Sequence, residues 1–383
     1  MVFNNKLYEG MKNIAFYWGN IPYAQFGGID RVTIVLAEVF QKMGMNIYCI
    51  YSGGVERPLP FCFREKFKWE NPEAGYEKLE NFLVEQQIEV VINQRYQDSS
   101  LISNLHRATA YHGIRLFTVI HCMPGFEFLT VHTGVKKWIR QIYNFKLKPL
   151  LIRHYNELVS NSDKVILLTK DFESQFLKTY KIAPSNSDKL TVVPNPCTLE
   201  GNFCEQKLNK IVVVSRLSEG HKRLSYILKA WKEISKILPT WSLDIVGDGE
   251  SRATYEEFCR KNKLQNISLC GRQNPTPYYQ RASIFLMTSV SEGWGLTNVE
   301  AMSYGVVPVV MDSFASIHDI IDDGDNGFIT PNDDLKAFQE KVLLLAKNDE
   351  LRRRMSRAAY EKSLQFSPNL VADRWAKLFD DQC

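Results

Sequence analysis

At 383 residues the chain is too long for one ordinary hydrophobic core, and length alone predicts about two domains. With 45% apolar, 12% aromatic and 23% charged residues it has the composition of a soluble enzyme, and a net charge of +4 is too small to indicate a nucleic-acid binder, so any effect of charge must be local. A polar N-terminal stretch and no apolar run of membrane-spanning length lead us to expect a cytoplasmic protein, or one lying on the cytoplasmic face of a membrane.

A first strand over residues 13–19 leads to Gly27-Gly28 and an apolar-periodic helix ending near residue 43. A double glycine before a helix exposes backbone N–H groups to an anion, with a purely structural turn as the alternative. Its spacing is not that of the Gly-x-Gly-x-x-Gly dinucleotide fingerprint, which weighs against a dehydrogenase. Residues 45–51, 89–93 and 115–121 read as largely apolar strands, with helices at 75–86 and 99–111 between them. That alternation predicts a parallel, doubly wound sheet, whose ligands gather at the carboxyl ends of the strands. His121 falls at such an end, although a lone histidine is more often a structural hydrogen-bonder.

Residues 135–153 interleave Lys136, Lys137, Arg140, Lys146, Lys148 and Arg153 with Trp138, Tyr143 and Phe145 on an expected helix. This pattern suits an anionic membrane surface or an anionic acceptor, and equally a solvated helix packing its aromatic side chains inward. A strand at 164–169 and a helix at 171–180 follow, residues 190–196 close the first domain, and the polar stretch 197–209 is the expected linker.

Alternation then restarts with a strand at 210–216 and a helix ending near 238. Arg216 and Lys222, six residues apart across an expected flexible loop, can clamp a diphosphate from one side while helix dipoles hold it from the other. Solvated charges are the plainer alternative. Strands at 241–249 and 267–272 continue the sheet, and an apolar strand at 283–287 runs into Glu292-Gly-Trp-Gly-Leu296. The helix that follows is expected to stop at Gly305, and a buried strand occupies 306–311.

The amides near Gly295, Leu296 and Thr297 and the positive end of the helix form an anion seat. Glu292 and Glu300 frame it. A carboxylate does not bind phosphate, so the pair is expected to accept hydrogen bonds from hydroxyl groups on either side of one. Hydroxyl, phosphate, hydroxyl is the pattern of a nucleotide sugar. The alternative makes Glu292 a helix cap and Glu300 a solvated helix residue. Asp323-Gly-Asp325 has the spacing of a metal-binding D-x-D but lies in a helix-ending turn, so no divalent-metal site is expected. Helices at 335–347, 349–365 and, after Ser367-Pro368, 369–380 complete the chain. Eight cysteines without a Cys-x-x-Cys pair predict reduced thiols.

Glu292-Gly-Trp-Gly-Leu, Glu300-Ala-Met and the Gly305-x-x-Pro-Val-Val tail, in register, resemble the signature of the family-4 retaining glycosyltransferases, the group 1 glycosyltransferases of the GT-B fold. The resemblance covers most of residues 13–381. It implies two Rossmann-like domains facing across a cleft: an acceptor domain over 1–197 that takes back a last helix at 368–383, and a donor domain over 198–367. Arg216 and Lys222 match the Arg and Lys of the family's Gly-Arg-Leu-x-x-x-Lys-Gly. The departures are Ser215 for the leading glycine, one extra residue before the lysine, and Arg223 after it.

The resemblance further implies that Gly27 and Gly28 lie over the donor phosphates, that His121 contacts the donor sugar or supports the transition state, and that Arg272 lines the base pocket. The implied reaction moves a sugar from a nucleotide-diphosphate donor, a UDP-sugar in our expectation, to a glycan or lipid-linked hydroxyl with retention. It needs no cofactor and no metal, and Arg216, Lys222, Glu292 and His121 carry the chemistry. A hydrolase or epimerase of the same fold, or a non-catalytic partner of an active transferase, remain the alternatives.

Overall fold

In the computed structural model, which describes residues 12–23, 27–54, 56–125, 127, 135–199 and 201–380, with the side chains of 135–143 outside that description, the chain divides into two units. One comprises Met1–Pro196 with Pro368–Cys383, the other Cys197–Ser367.

The first unit runs β1 Asn13–Trp18, α1 Gly28–Lys42, β2 Asn46–Tyr51, β3 Glu65–Lys68, α2 Glu77–Glu85, β4 Val90–Asn93, α3 Ser99–Ala110, β5 Arg115–Val119, α4 Val135–Asn161, β6 Lys164–Leu167, α5 Lys170–Tyr180 and β7 Leu190–Val192. Its sheet is parallel, in the order β3-β2-β1-β4-β5-β6-β7. β1 is central, with Phe16 opposite Cys49 on one side and Ile92 on the other. Its continuous apolar run follows from helices covering both faces. Asp98 caps α3 by accepting from the amides of Ser100 and Leu101, and Thr169 caps α5 through Phe172 N–H.

The second unit runs β8 Lys210–Val214, α6 Glu219–Lys222, α7 Leu224–Ile237, β9 Ser242–Val246, α8 Arg252–Lys261, β10 Ile267–Gly271, α9 Thr276–Arg281, β11 Ile284–Met287, α10 Leu296–Ser303, β12 Val307–Asp312, α11 Ile317–Ile320, β13 Phe328–Pro331, α12 Leu335–Lys347 and α13 Asp349–Ser363. The sheet order is β10-β9-β8-β11-β12-β13, again parallel. Trp231, Leu228, Ile284, Val309 and Phe338 are among its core side chains.

The last helix, α14 Pro368–Asp380, belongs to the first unit. Phe379 lies 5.4 Å from the Phe40 ring and 6.1 Å from Phe117, while Lys12 and Arg115 donate to the Phe379 carbonyl at the helix's negative end.

Several elements differ from expectation, and α8, α9 and β13 were not read from the sequence. The stretch after Arg216 is not a flexible loop, because Glu219–Lys222 forms the helical turn α6. β3 was not expected, because an edge strand reading Glu-Lys-Phe-Lys carries no apolar run.

Candidate functional site

The second unit assembles its site from the ends of β8 and β11 and the start of α10. The turn after β9 crowds the backbone of residues 215–217: a Cβ on Gly247 would meet the Ser215 carbonyl, and one on Gly249 would sit 2.4 Å from that of Leu217. Leu217 donates to Asp248 O at 2.9 Å and accepts from Ser251 N–H at 2.9 Å. This close approach buries Leu217 and leaves Arg216 exposed. Among the described residues the Arg216 side chain makes no hydrogen bond or ion pair, although its charge helps hold the Glu250 carboxyl below the usual range, after the Ser218 hydrogen bond.

Lys222, at the end of α6, reaches Glu292: Nζ lies 2.5 Å from Oε1, and Ser289 Oγ donates to the same oxygen at 2.7 Å. Both charged side chains are only partly exposed, at 23% and 15%. The cation and the acid expected to act on a donor are therefore paired with each other.

Gly295 has φ +86°, which glycine alone adopts freely, and it turns the loop into α10. Leu296 and Thr297 open the helix half-buried, with no side chain capping it. Glu300 is fully buried rather than solvated. Thr198 Oγ1 donates to its Oε1 at 2.5 Å, and Tyr279 OH lies 3.4 Å from Oε2. Thr198 belongs to the stretch read from sequence as linker, and no local signal ties it to an acid 102 residues away. Trp294 Nε1 and Asn298 Oδ1 are buried beside this loop without hydrogen-bond partners among the described residues. Arg272 is exposed just past β10 and makes no described contact with the other site residues. Asp323, Gly324 and Asp325 form a turn in which Asp323 accepts from Ile329 N–H and Gly324 has φ +81°.

In the first unit, Gly27 is the N-cap of α1 with an extended backbone, and Gly28 is its first helical residue. Asp30 occupies that first turn, accepts from Tyr23 N–H at 3.1 Å, and has its pKa raised by burial. His121 lies two residues past β5, beside a small cavity lined by Phe16, Ile92, Gln94, Leu168 and Asn195. Among the described residues neither buried ring nitrogen has a hydrogen-bond partner, and burial lowers the pKa to about 4, so the ring is neutral at pH 7. Of the basic stretch 135–153, the side chains of 135–143 lie outside the described residues. Farther along α4, Phe145 and Leu150 are exposed at 82% and 65% beside exposed Lys146 and Lys148, and Arg153 pairs with Glu157. Among the described residues no helix is long and apolar enough to cross a membrane.

Residues 200–362 match the family model for glycosyl transferases group 1. An uncharacterized glycosyltransferase of Haemophilus influenzae is 25% identical over 376 residues, covering 95% of this chain and 99% of that protein. The poly(glycerol-phosphate) alpha-glucosyltransferase of Bacillus subtilis is 30% identical over 234 residues, or 58% of this chain and 34% of the relative. The solved pneumococcal O-GlcNAc transferase GtfA, in complex with UDP and GlcNAc, superposes with a TM-score of 0.75 at 13% identity over 97% of this chain and 99% of that one.

Proposed function

We propose that this chain, whose residues 200–362 are a group 1 glycosyl transferase domain in a chain of GT-B fold, is a retaining family-4 enzyme that moves a sugar from a UDP-sugar to a hydroxyl of a glycan or lipid-linked saccharide in cell-surface polysaccharide synthesis. The observation that carries this reading is the grouping in one unit of Arg216, the Lys222–Glu292 pair, the uncapped start of α10 and Glu300. Arg216, Lys222 and the amides of Gly295, Leu296 and Thr297 stabilise charge developing on the leaving diphosphate, which is electrostatic catalysis without a metal. Glu292 accepts from donor-sugar hydroxyls once Lys222 turns to phosphate. Glu300 accepts from the ribose in the place that the Thr198 hydroxyl holds here. Arg272 lines the base, His121 supports the sugar as a neutral imidazole, and Gly27 and Gly28 approach the phosphates. The relative that acts on poly(glycerol-phosphate) and the neighbour solved with UDP support the donor and acceptor classes.

The test is a thermal-shift panel of UDP, GDP, ADP and their sugar conjugates with and without EDTA. A ligand selective for the folded state raises the melting temperature. We expect UDP and a UDP-sugar to stabilise the protein equally in EDTA. Arg216→Ala, which breaks no described bond, should keep its own melting temperature and lose most of the shift, with transfer slowed about 100-fold. No shift with any nucleotide overturns the reading.

The exposed Phe145 and Leu150 beside Lys146 and Lys148 support docking on an anionic membrane surface. Phosphatidylglycerol vesicles should sediment the protein at low salt, and Lys146→Glu with Lys148→Glu should release it. Failure of the unaltered protein to bind such vesicles sinks this part.

A further inference from the structure

Arg223 follows Lys222 and stands in the left-handed conformation, φ 47° and ψ 43°, where a residue with a side chain is strained. Such strain persists only when the surroundings over-determine it, and here they do. Nε donates to the Thr288 carbonyl at 2.9 Å, Nη2 to Ser289 O at 3.4 Å and to Asn332 Oδ1 at 2.7 Å, and Nη1 to Asp333 Oδ1 at 2.6 Å. The guanidinium also lies over the Tyr226 ring, 5.0 Å from its centre. Asp333 is left-handed too, at φ 64°. One planar fork thus ties together three segments: the junction of α6 and α7, the loop leaving β11, and the turn after β13. Two of them carry the charged pair, since Lys222 is the residue before Arg223 and Glu292 lies three residues after Ser289. A lysine there could not reach these acceptors in four fixed directions.

We propose that Arg223 is a positioning residue: it does not touch the donor but holds Lys222 and Glu292 at the spacing that a diphosphate and an adjoining sugar hydroxyl require. This rests on reading Lys222 and Glu292 as donor-site groups. The other bonds of the same junction, Val290 N–H to His221 O at 2.7 Å and the Thr288 hydroxyl to Arg223 O at 3.0 Å, do not use the guanidinium, so its removal should leave the fold intact. Ser289 Oγ meanwhile keeps Glu292 supplied with one donor when Lys222 moves.

The experiment uses the full chain with UDP as probe and compares Arg223→Gly and Arg223→Lys with the unaltered protein. Glycine adopts the left-handed conformation freely, so Arg223→Gly removes the strain together with the brace. We expect it to melt no lower than the unaltered protein, to exchange the amides of 218–224 and 288–293 faster, and to bind UDP about tenfold more weakly, as when the competent fraction falls to about a tenth. Arg223→Lys should likewise speed exchange in those two segments and weaken UDP binding, because charge without the fork does not restore the geometry. Unchanged exchange in those two segments overturns the inference, as does full recovery by lysine. A fall in melting temperature with faster exchange throughout the unit makes Arg223 a structural residue and also overturns it. If the unaltered protein binds UDP and Arg223→Gly binds it equally well, the positioning role is lost. If the unaltered protein binds no UDP, the donor-site reading fails, and the exchange of 218–224 and 288–293 still decides the brace.

Discussion

His121 has both ring nitrogens buried and, among the described residues, without a hydrogen-bond partner, so charging it would place an uncompensated ion in a largely apolar cavity. Its pKa is accordingly lowered to about 4 by burial, whereas in the unfolded chain it titrates near 6.5. The sign follows directly. Between those values the unfolded state binds more protons, so the contribution is fully present above pH 6.5 and is lost as pH falls toward 4. We expect urea unfolding of the unaltered protein to lose about 3 kcal/mol over that window through this group. His121→Leu should lose that much less, and an equal acid loss in both would place the titration elsewhere. The sequence put His121 near a strand end, but β5 stops at Val119, and only the packing shows a buried neutral ring. The acidic pair divides in the same way. Glu292 and Glu300 were legible from their spacing around a glycine-rich helix start, whereas the partners that occupy them, Lys222, Ser289 and Thr198, arrive from the end of α6, the loop leaving β11 and the stretch before β8.

At the scale of elements, the glycines that precede helices are not equivalent. Gly295 has φ +86°, and a Cβ there would meet Asn298 Nδ2 at 2.9 Å and the Phe314 ring at 3.4 Å. Gly27 is extended, and its Cβ would meet only Asp30 Oδ2 at an ordinary 3.6 Å. Gly295→Ala should cost about 1–3 kcal/mol of stability and displace the amides that open α10, weakening the UDP thermal shift. Gly27→Ala should change stability by less than about 0.5 kcal/mol. Equal effects in urea unfolding would show that the left-handed conformation is not what selects glycine at 295. A double glycine can be read from sequence, but the sign of φ is set by how the loop must leave its strand.

At the scale of the whole molecule, the chain returns to its first unit at its end. Phe379 is 2% exposed and packs on Phe40 and Phe117, while Trp375 meets Phe40 at 6.4 Å. Phe379→Ala should destabilise by about 3–5 kcal/mol through lost burial and the cavity left behind. The loss should show as faster amide exchange in α1 and β5. Unchanged exchange there would mean that α14 does not hold the first unit. The Ser-Pro start of this helix and its apolar face were plain in the sequence, yet its place beside α1 rests on contacts between residues more than 300 positions apart.

The sequence by itself determined the alternation of apolar strands and amphipathic helices, the glycine that opens α10, and the identities of the residues around it. Hydrophobic periodicity, the backbone freedom of glycine and the polarity of a helix end are local properties, and they act before any long-range contact forms. The tertiary structure alone decided the pairings, Lys222 with Glu292, Thr198 with Glu300 and the Arg223 fork across three segments, and the burial of the His121 ring. A hydrogen bond or a lost solvation shell depends on which distant segment the packed sheet brings within about 3 Å, and no local rule encodes that distance.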